Sequence, residues 1–148
     1  MSSTPSTAVA NPPQALDSVI SDATRDAIRA DVEATSQAWI ACFNRGDAAA
    51  CAAGYTEDAV MTAQPIADLR GREAIHKFWA DVLAGDPGTL RYDDPQVHVL
   101  DSQTAVLSSG WSMSRLGSGI ITLELWQLQD DGAWRLSEDR FEIRHQNG

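Results

Sequence analysis

The sequence predicts an α+β domain in which helices come first and an antiparallel sheet follows. Three observations carry this. Apolar residues recur at helical spacing between about residues 21 and 84. From Thr89 onward their period changes to two. The strand candidates are then joined by compact turns ("DSQ", "LGS", "DDG"), as in an antiparallel meander. Such an order segregates the helices on one face of a curved sheet.

Ser21 or Asp22 is placed to cap a first helix reaching about Asn44, with Ile28, Val32, Trp39 and Phe43 on one stripe. Gly46 stops it, because the residue after a last turn often takes a positive φ. Asp47 caps a short second helix, "AAACAAG", ending at Gly54. "AVMTA" reads as a short strand halted by Pro65, and a loop leads to Gly71. A third helix runs to about Ala84, carries Ile75, Phe78, Trp79, Val82 and Leu83, and is broken by "GDPG". "LRYDDPQVHVLD", "TAVLSSGWSMSR", "GIITLELWQLQ" and "AWRLSEDRFEIRH" are the four later strands.

A length of 148 residues suits one compact domain, expected at residues 21–148. Residues 1–20, rich in Ser, Thr and Pro, read as a disordered leader without the basic start or apolar run of a signal peptide. Against 11 basic residues stand 21 acidic ones, a net charge of −10, which repels a phosphate backbone. Nucleic acid is therefore excluded as a partner. No run approaches the ~20 apolar residues of a membrane span, so a membrane partner is not expected either. Cys42 and Cys51 read as reduced, buried small hydrophobes, and a cytoplasmic location follows from that reading. His76, His98 and His145 are scattered and stand near no cysteine pair, so no metal is expected.

The run "WIACFNRGDAAACAAGYTEDAVM…LRGREAIHKFW", with the later "DDGAWRLSEDRF", resembles the SnoaL-like and ketosteroid-isomerase-like proteins of the superfamily named after nuclear transport factor two. The match spans nearly everything from residue 24 to 145. It implies a cone-shaped sheet wrapped around the long first helix, with two further helices, enclosing a pocket. It also implies a homodimer and cofactor-free activity. Carried over, the pocket walls are Trp39, Phe43, Tyr55, Met61, Phe78, Trp79, Trp111 and Phe141. A solid aromatic core is the competing reading of the same residues.

Enzymes of this group that isomerise or cyclise move a proton beside a carbonyl, which needs a carboxylate base and a donor to the developing oxyanion. Ketosteroid isomerase keeps a carboxyl protonated for that purpose. Where that family's base stands before the strand-ending proline, this chain reads Met61-Thr62-Ala63-Gln64-Pro65, without a carboxylate. Its tyrosine donor falls on Trp39, and its protonated aspartate on Glu124. Steroid isomerase activity is therefore not supported. In the cyclase branch a pocket His and Asp share the last strand; Asp139 and Phe141 are their nearest counterparts.

Strand alternation orients the two acids differently. Ser137, Asp139, Phe141 and Ile143 form the more apolar face of the last strand and Leu136, Glu138, Arg140 and Glu142 the outer one, which turns Asp139 inward. Ile121, Leu123 and Leu125 form the more apolar face of the strand before it and Thr122, Glu124, Trp126 and Leu128 the other, which turns Glu124 outward or into a dimer interface. Asp58 reads as a turn-tying residue. The catalytic candidates are Asp139 and Glu124. Function is left between two classes: a cofactor-free acid/base enzyme acting on an aromatic or polycyclic ligand by isomerisation, cyclisation or hydration, and a non-catalytic ligand-binding or dimerisation module.

Overall fold

The computed structural model describes residues 20–147, so the leader expected at residues 1–20 lies outside the described residues except for Ile20, which packs on the core. Helix α1 (Asp22–Asn44) starts where Ser21 Oγ accepts the Thr24 N–H at 3.0 Å, a side-chain cap for one of the orphan amides of the first turn. Its buried stripe is Ile28, Val32, Ser36, Trp39, Ile40 and Phe43. Gly46 follows the helix at φ +78°, as the stop required. Asp47 Oδ1 accepts the Ala50 N–H at 3.0 Å and opens helix α2 (Ala48–Ala53).

Gly54 then passes so close to α1 that a Cβ there would lie 2.9 Å from Trp39 Cδ1. That approach lets the Trp39 indole N–H donate to the Cys51 carbonyl at 3.0 Å. The indole is thereby pinned, and its N–H is spent on backbone.

Strand β1 (Tyr55–Gln64) is twice the length of the expected "AVMTA" and ends at a cis Gln64–Pro65 peptide. The segment expected to be loop before Gly71 contains a further strand, β2 (Ala67–Arg70), paired antiparallel with β1. Only four residues make it up, too few for a period to register. Helix α3 (Arg72–Ala84) buries Ile75 and Trp79. Strands β3 (Leu90–Asp101), β4 (Thr104–Met113), β5 (Gly117–Leu128) and β6 (Trp134–Gln146) form the expected meander.

The sheet order is β2-β1-β6-β5-β4-β3. Every neighbouring pair is antiparallel except β1 and β6, which run parallel; the wholly antiparallel sheet expected is corrected in that one pair. Pro95 sits on β3, the sheet edge, where a missing N–H is tolerated.

A row of bulges bends the sheet around α1. Asp94 (φ +56°) and Pro95 oppose the single Ser109, and Thr122 is an extra residue on β5 relative to both β4 and β6. A further shift at Ser137 separates Leu136 from Glu138. Each bulge resets the alternation of inward and outward side chains. Beyond Thr122 the inward residues of β5 are Glu124 and Trp126, and beyond Ser137 those of β6 are Asp139 and Phe141. Leu136, expected on the outer face, is buried before that shift.

Candidate acid/base site

Seven aromatic side chains meet between α1, α3 and the concave side of the sheet. Trp79 is their hub: its ring lies 5.3 Å from Trp39, 5.7 Å from Phe43, 5.0 Å from Phe78 and 5.9 Å from Phe141. Trp111 meets Phe141 edge-on at 6.0 Å, and Tyr55 meets Trp39 edge-on at 6.4 Å. These separations fall in the range where aromatic pairs add to simple burial.

A cavity lies among them, with about 30 Å³ open to the centres of water-sized spheres. That is room for roughly two waters. Of the expected wall residues, Trp39, Tyr55, Trp79, Trp111 and Phe141 line it. Phe43 and Met61 are buried in the core behind, and Phe78 packs on Trp79 without reaching the cavity; those three assignments are corrected. Their helical and strand periodicity marked them as inward, but inward positions outnumber those that border the void.

Two carboxyl groups face this cavity. Glu124 is 2% exposed and Asp139 is 5% exposed, and the two are cross-strand partners on β5 and β6. The outward orientation expected for Glu124 is therefore wrong, because the extra residue at Thr122 shifts its phase. Each acid has a tyrosine. Tyr55 donates to Asp139 Oδ2 at 2.7 Å, and Tyr92 donates to Glu124 Oε2 at 2.6 Å. Two indoles complete the set: Trp126 Nε1 donates to Glu124 Oε1 at 2.9 Å, and Trp79 Nε1 donates to the Tyr55 hydroxyl at 3.1 Å. Both Glu124 oxygens are thus occupied. Asp139 Oδ1 accepts no hydrogen bond among the described residues.

Burial sets the electrostatics. Desolvation first, and the Asp139 charge second, push the Glu124 carboxyl up to about 8, against the opposing hydrogen bonds from Tyr92 and Trp126. Desolvation raises Asp139 to about 6, with the Tyr55 hydrogen bond pulling the other way. Burial and the adjoining carboxylates hold both phenols well above their usual value, so they stay protonated donors. At neutral pH the pair accordingly shares about one proton and carries close to one negative charge. Among the described residues no Lys, Arg or His lines the cavity to neutralise it.

Raised carboxyl values have a stability consequence. Both groups bind protons more tightly folded than unfolded, so their contribution is fully present below about pH 4 and is lost as pH rises through 6 and then 8. Glu124→Gln removes the upper step while keeping the shape. Its carbonyl can accept from Trp126, and its amide can donate to the Tyr92 oxygen, as the protonated acid would. Chemical denaturation at pH 5.5 and 8.5 should show the wild type losing on the order of 3 kcal/mol more than the variant across that interval. Equal losses would mean that Glu124 ionises freely.

Tyr92, Trp126 and Ser36 are site residues that the sequence reading missed. Tyr92 was detectable, since it alternates with buried Leu90 on its strand. Trp126 shares the phase of Glu124 and was misplaced with it. Asp58 is exposed and accepts from the Thr56 hydroxyl at 3.2 Å, but both residues lie within strand β1, so the turn expected there is corrected to strand. His76, His98 and His145 are exposed, and no cluster of three or more His, Cys, Asp or Glu able to hold a metal occurs among the described residues. Cys42 and Cys51 are free thiols, and burial pushes Cys51 up to about 12, which removes it as a nucleophile. No described helix is long and apolar enough to cross a membrane.

Solved structures share this architecture at low identity. A scytalone dehydratase-like protein from Novosphingobium aromaticivorans superposes with a TM-score of 0.68 at 14% identity, over 84% of this chain and 94% of that one. An NTF-2-like protein of unknown function from Shewanella oneidensis gives 0.64 at 20% identity, over 77% and 98%. A ketosteroid isomerase-like protein from Erwinia carotovora atroseptica gives 0.63 at 19% identity, over 77% and 94%. At these identities the likeness establishes the fold alone. None of the curated proteins matches the chain. The family model for the SnoaL-like domain matches residues 36–136, more than half of the sequence, and the chain belongs to that family.

Proposed function

We propose that this protein is a cofactor-free enzyme that moves a proton on a small, uncharged aromatic substrate. The observation that supports it most is the cross-strand pair of buried carboxyls with separated affinities for protons. A base near 6 and an acid near 8 suit proton transfer at neutral pH, because each is mostly in its working form. Asp139, whose Oδ1 is unoccupied, is the base that takes a proton from carbon. Glu124 is the acid. When it is protonated, its carboxyl can donate to the Tyr92 oxygen, which frees the phenolic hydrogen for a developing oxyanion or a leaving hydroxyl. That serves isomerisation, cyclisation or addition and loss of water equally.

The small void narrows the ligand. A cavity of roughly 150 Å³ is what a benzene ring occupies, so even one ring needs the walls to yield, and a polycycle needs far more. A single-ring substrate is favoured over a polycyclic one. The same tightness supports the second reading, a non-catalytic binding or dimerisation module with a filled core.

Exchange of the α-protons of phenylacetone, a ketone with a single ring, into deuterium oxide, followed by proton NMR, separates the two. The enzyme should accelerate exchange well above the buffer rate. No acceleration would leave the binding module as the surviving reading.

Half-buried Ile120, Leu123 and Leu125 lie on the outer face of β5, where a second copy would cover them. A homodimer through that face is proposed, with a mass near twice 16.0 kDa in light scattering at micromolar concentration. A monomer there would refute it. Two free thiols, one of them fully buried, fit a reducing cytoplasm.

A further inference from the structure

Hydrogen-bond donors around the cavity are almost all committed to protein acceptors. The Trp39 indole donates to the Cys51 carbonyl at 3.0 Å and the Trp111 indole to the Glu142 carbonyl at 3.3 Å. Trp79 and Trp126 donate to Tyr55 and Glu124, and the two phenols donate to the acids.

One polar side chain differs. Ser36, on the buried stripe of α1, is 4% exposed and lines the cavity, yet its hydroxyl makes no hydrogen bond among the described residues. Its neighbour Thr35 shows the usual alternative, bonding back to the Asp31 carbonyl at 2.8 Å. A buried hydroxyl left without a partner is costly, and the rarity of such groups makes this one informative. Its position adds to that: Ser36 comes from the helical layer, whereas both acids come from the sheet.

We propose that Ser36 is a ligand-binding residue whose hydroxyl pairs with an oxygen substituent on an uncharged aromatic ring held in this cavity. The inference rests on the small-molecule reading above and adds to it the ligand's polar group and the residue that selects it. Anionic ligands are disfavoured, since the cavity offers acidic oxygens and π faces but no cation. A ring bearing a hydroxyl or carbonyl oxygen satisfies Ser36 from inside the void, while a plain hydrocarbon leaves it unpaired.

The five tryptophans supply the test, because each indole N–H gives its own signal in a nitrogen-15 NMR spectrum. Trp39, Trp79, Trp111 and Trp126 line the cavity and Trp134 does not, so Trp134 is an internal control. The probes are phenol, its near-isostere toluene, and benzoate, titrated into the full chain. Phenol and toluene should shift the four cavity signals and leave Trp134 in place, and benzoate should shift none. In Ser36→Ala the ratio of the phenol Kd to the toluene Kd should rise about fivefold, the worth of one ordinary hydrogen bond. The melting temperature should hold or rise, as an unpaired buried hydroxyl has been removed. Ser36→Cys, close in size but a weak donor, should raise the ratio in the same direction and serves if the alanine variant does not fold.

An unchanged ratio in the variants, with phenol still bound, would overturn the role of Ser36 and leave the cavity reading intact. Benzoate bound as well as phenol would overturn the stated ligand class. No shift of the cavity indoles by any probe would overturn both this inference and the proposed function.

Discussion

Asp139→Asn is expected to lower exchange of a ketone's α-protons by roughly 10²- to 10⁴-fold, the span attributable to a positioned general base. The fold should survive the change. Tyr55 donates to Asp139 Oδ2 at 2.7 Å, and an asparagine carbonyl oxygen can accept that bond in the same place. What the variant loses is the charge, and the charge is what burial penalises. Its melting temperature should therefore equal or exceed that of the wild type near pH 8, where Asp139 is otherwise ionised. This pairing of outcomes is diagnostic, because functional acids are often kept at the expense of stability. Thermal denaturation and exchange kinetics on the same preparation would check it. If stability and ligand binding collapse together, Asp139 is a structural acceptor for Tyr55. If exchange is unaffected, the base is elsewhere.

Trp79→Ala carries the largest expected effect on stability. Its ring touches four others, and its N–H supports Tyr55, so the substitution removes packing and orphans part of the hydrogen-bond chain that leads to Asp139. Deleting a buried aromatic costs about 3–5 kcal/mol. For a domain of this size each kcal/mol moves the midpoint by roughly 2–4 °C, so calorimetry should record a fall on the order of 10 °C. A fall of only a degree or two would show that the aromatic cluster is loosely packed and that the true cavity is wider than 30 Å³.

Local chemistry made the helices legible. Ser21, Gly46, Asp47 and Gly71 each announce an end through a cap or a positive φ, and the observed boundaries follow them. Period-two runs gave β3 through β6 to within a few residues for the same reason. Strand β2 was not legible, since Ala67-Asp68-Leu69-Arg70 alternates over four residues only, too short a run to stand out from a loop. The parallel pairing of β1 with β6 joins segments some eighty residues apart, and nothing local records it. The site failed at one instructive point. Alternation on β5 predicted an outward Glu124 because Ile121, Leu123 and Leu125 share a phase in an unbroken strand. A single extra residue at Thr122 breaks that phase, leaving Ile121 inside, Leu123 outside and Glu124 inside. Bulges depend on what both neighbouring strands require, so one strand's pattern does not reveal them. Asp139 lay beyond the corresponding shift at Ser137 and kept its expected orientation, while Leu136 before it did not.

Asp139 and Glu124 form one buried cross-strand pair whose proton affinities burial drives upward and apart. Carbon-13 NMR of the side-chain carboxyls, titrated from pH 3 to pH 10 and assigned with Asp139→Asn and Glu124→Gln, measures this directly. The pair should titrate in two steps, near 6 and near 8, with removal of either acid moving the step of the other. Two independent steps in the ordinary carboxylate range, below about 5, would contradict the account, because both acids would then be fully charged at neutral pH and no proton would remain to donate.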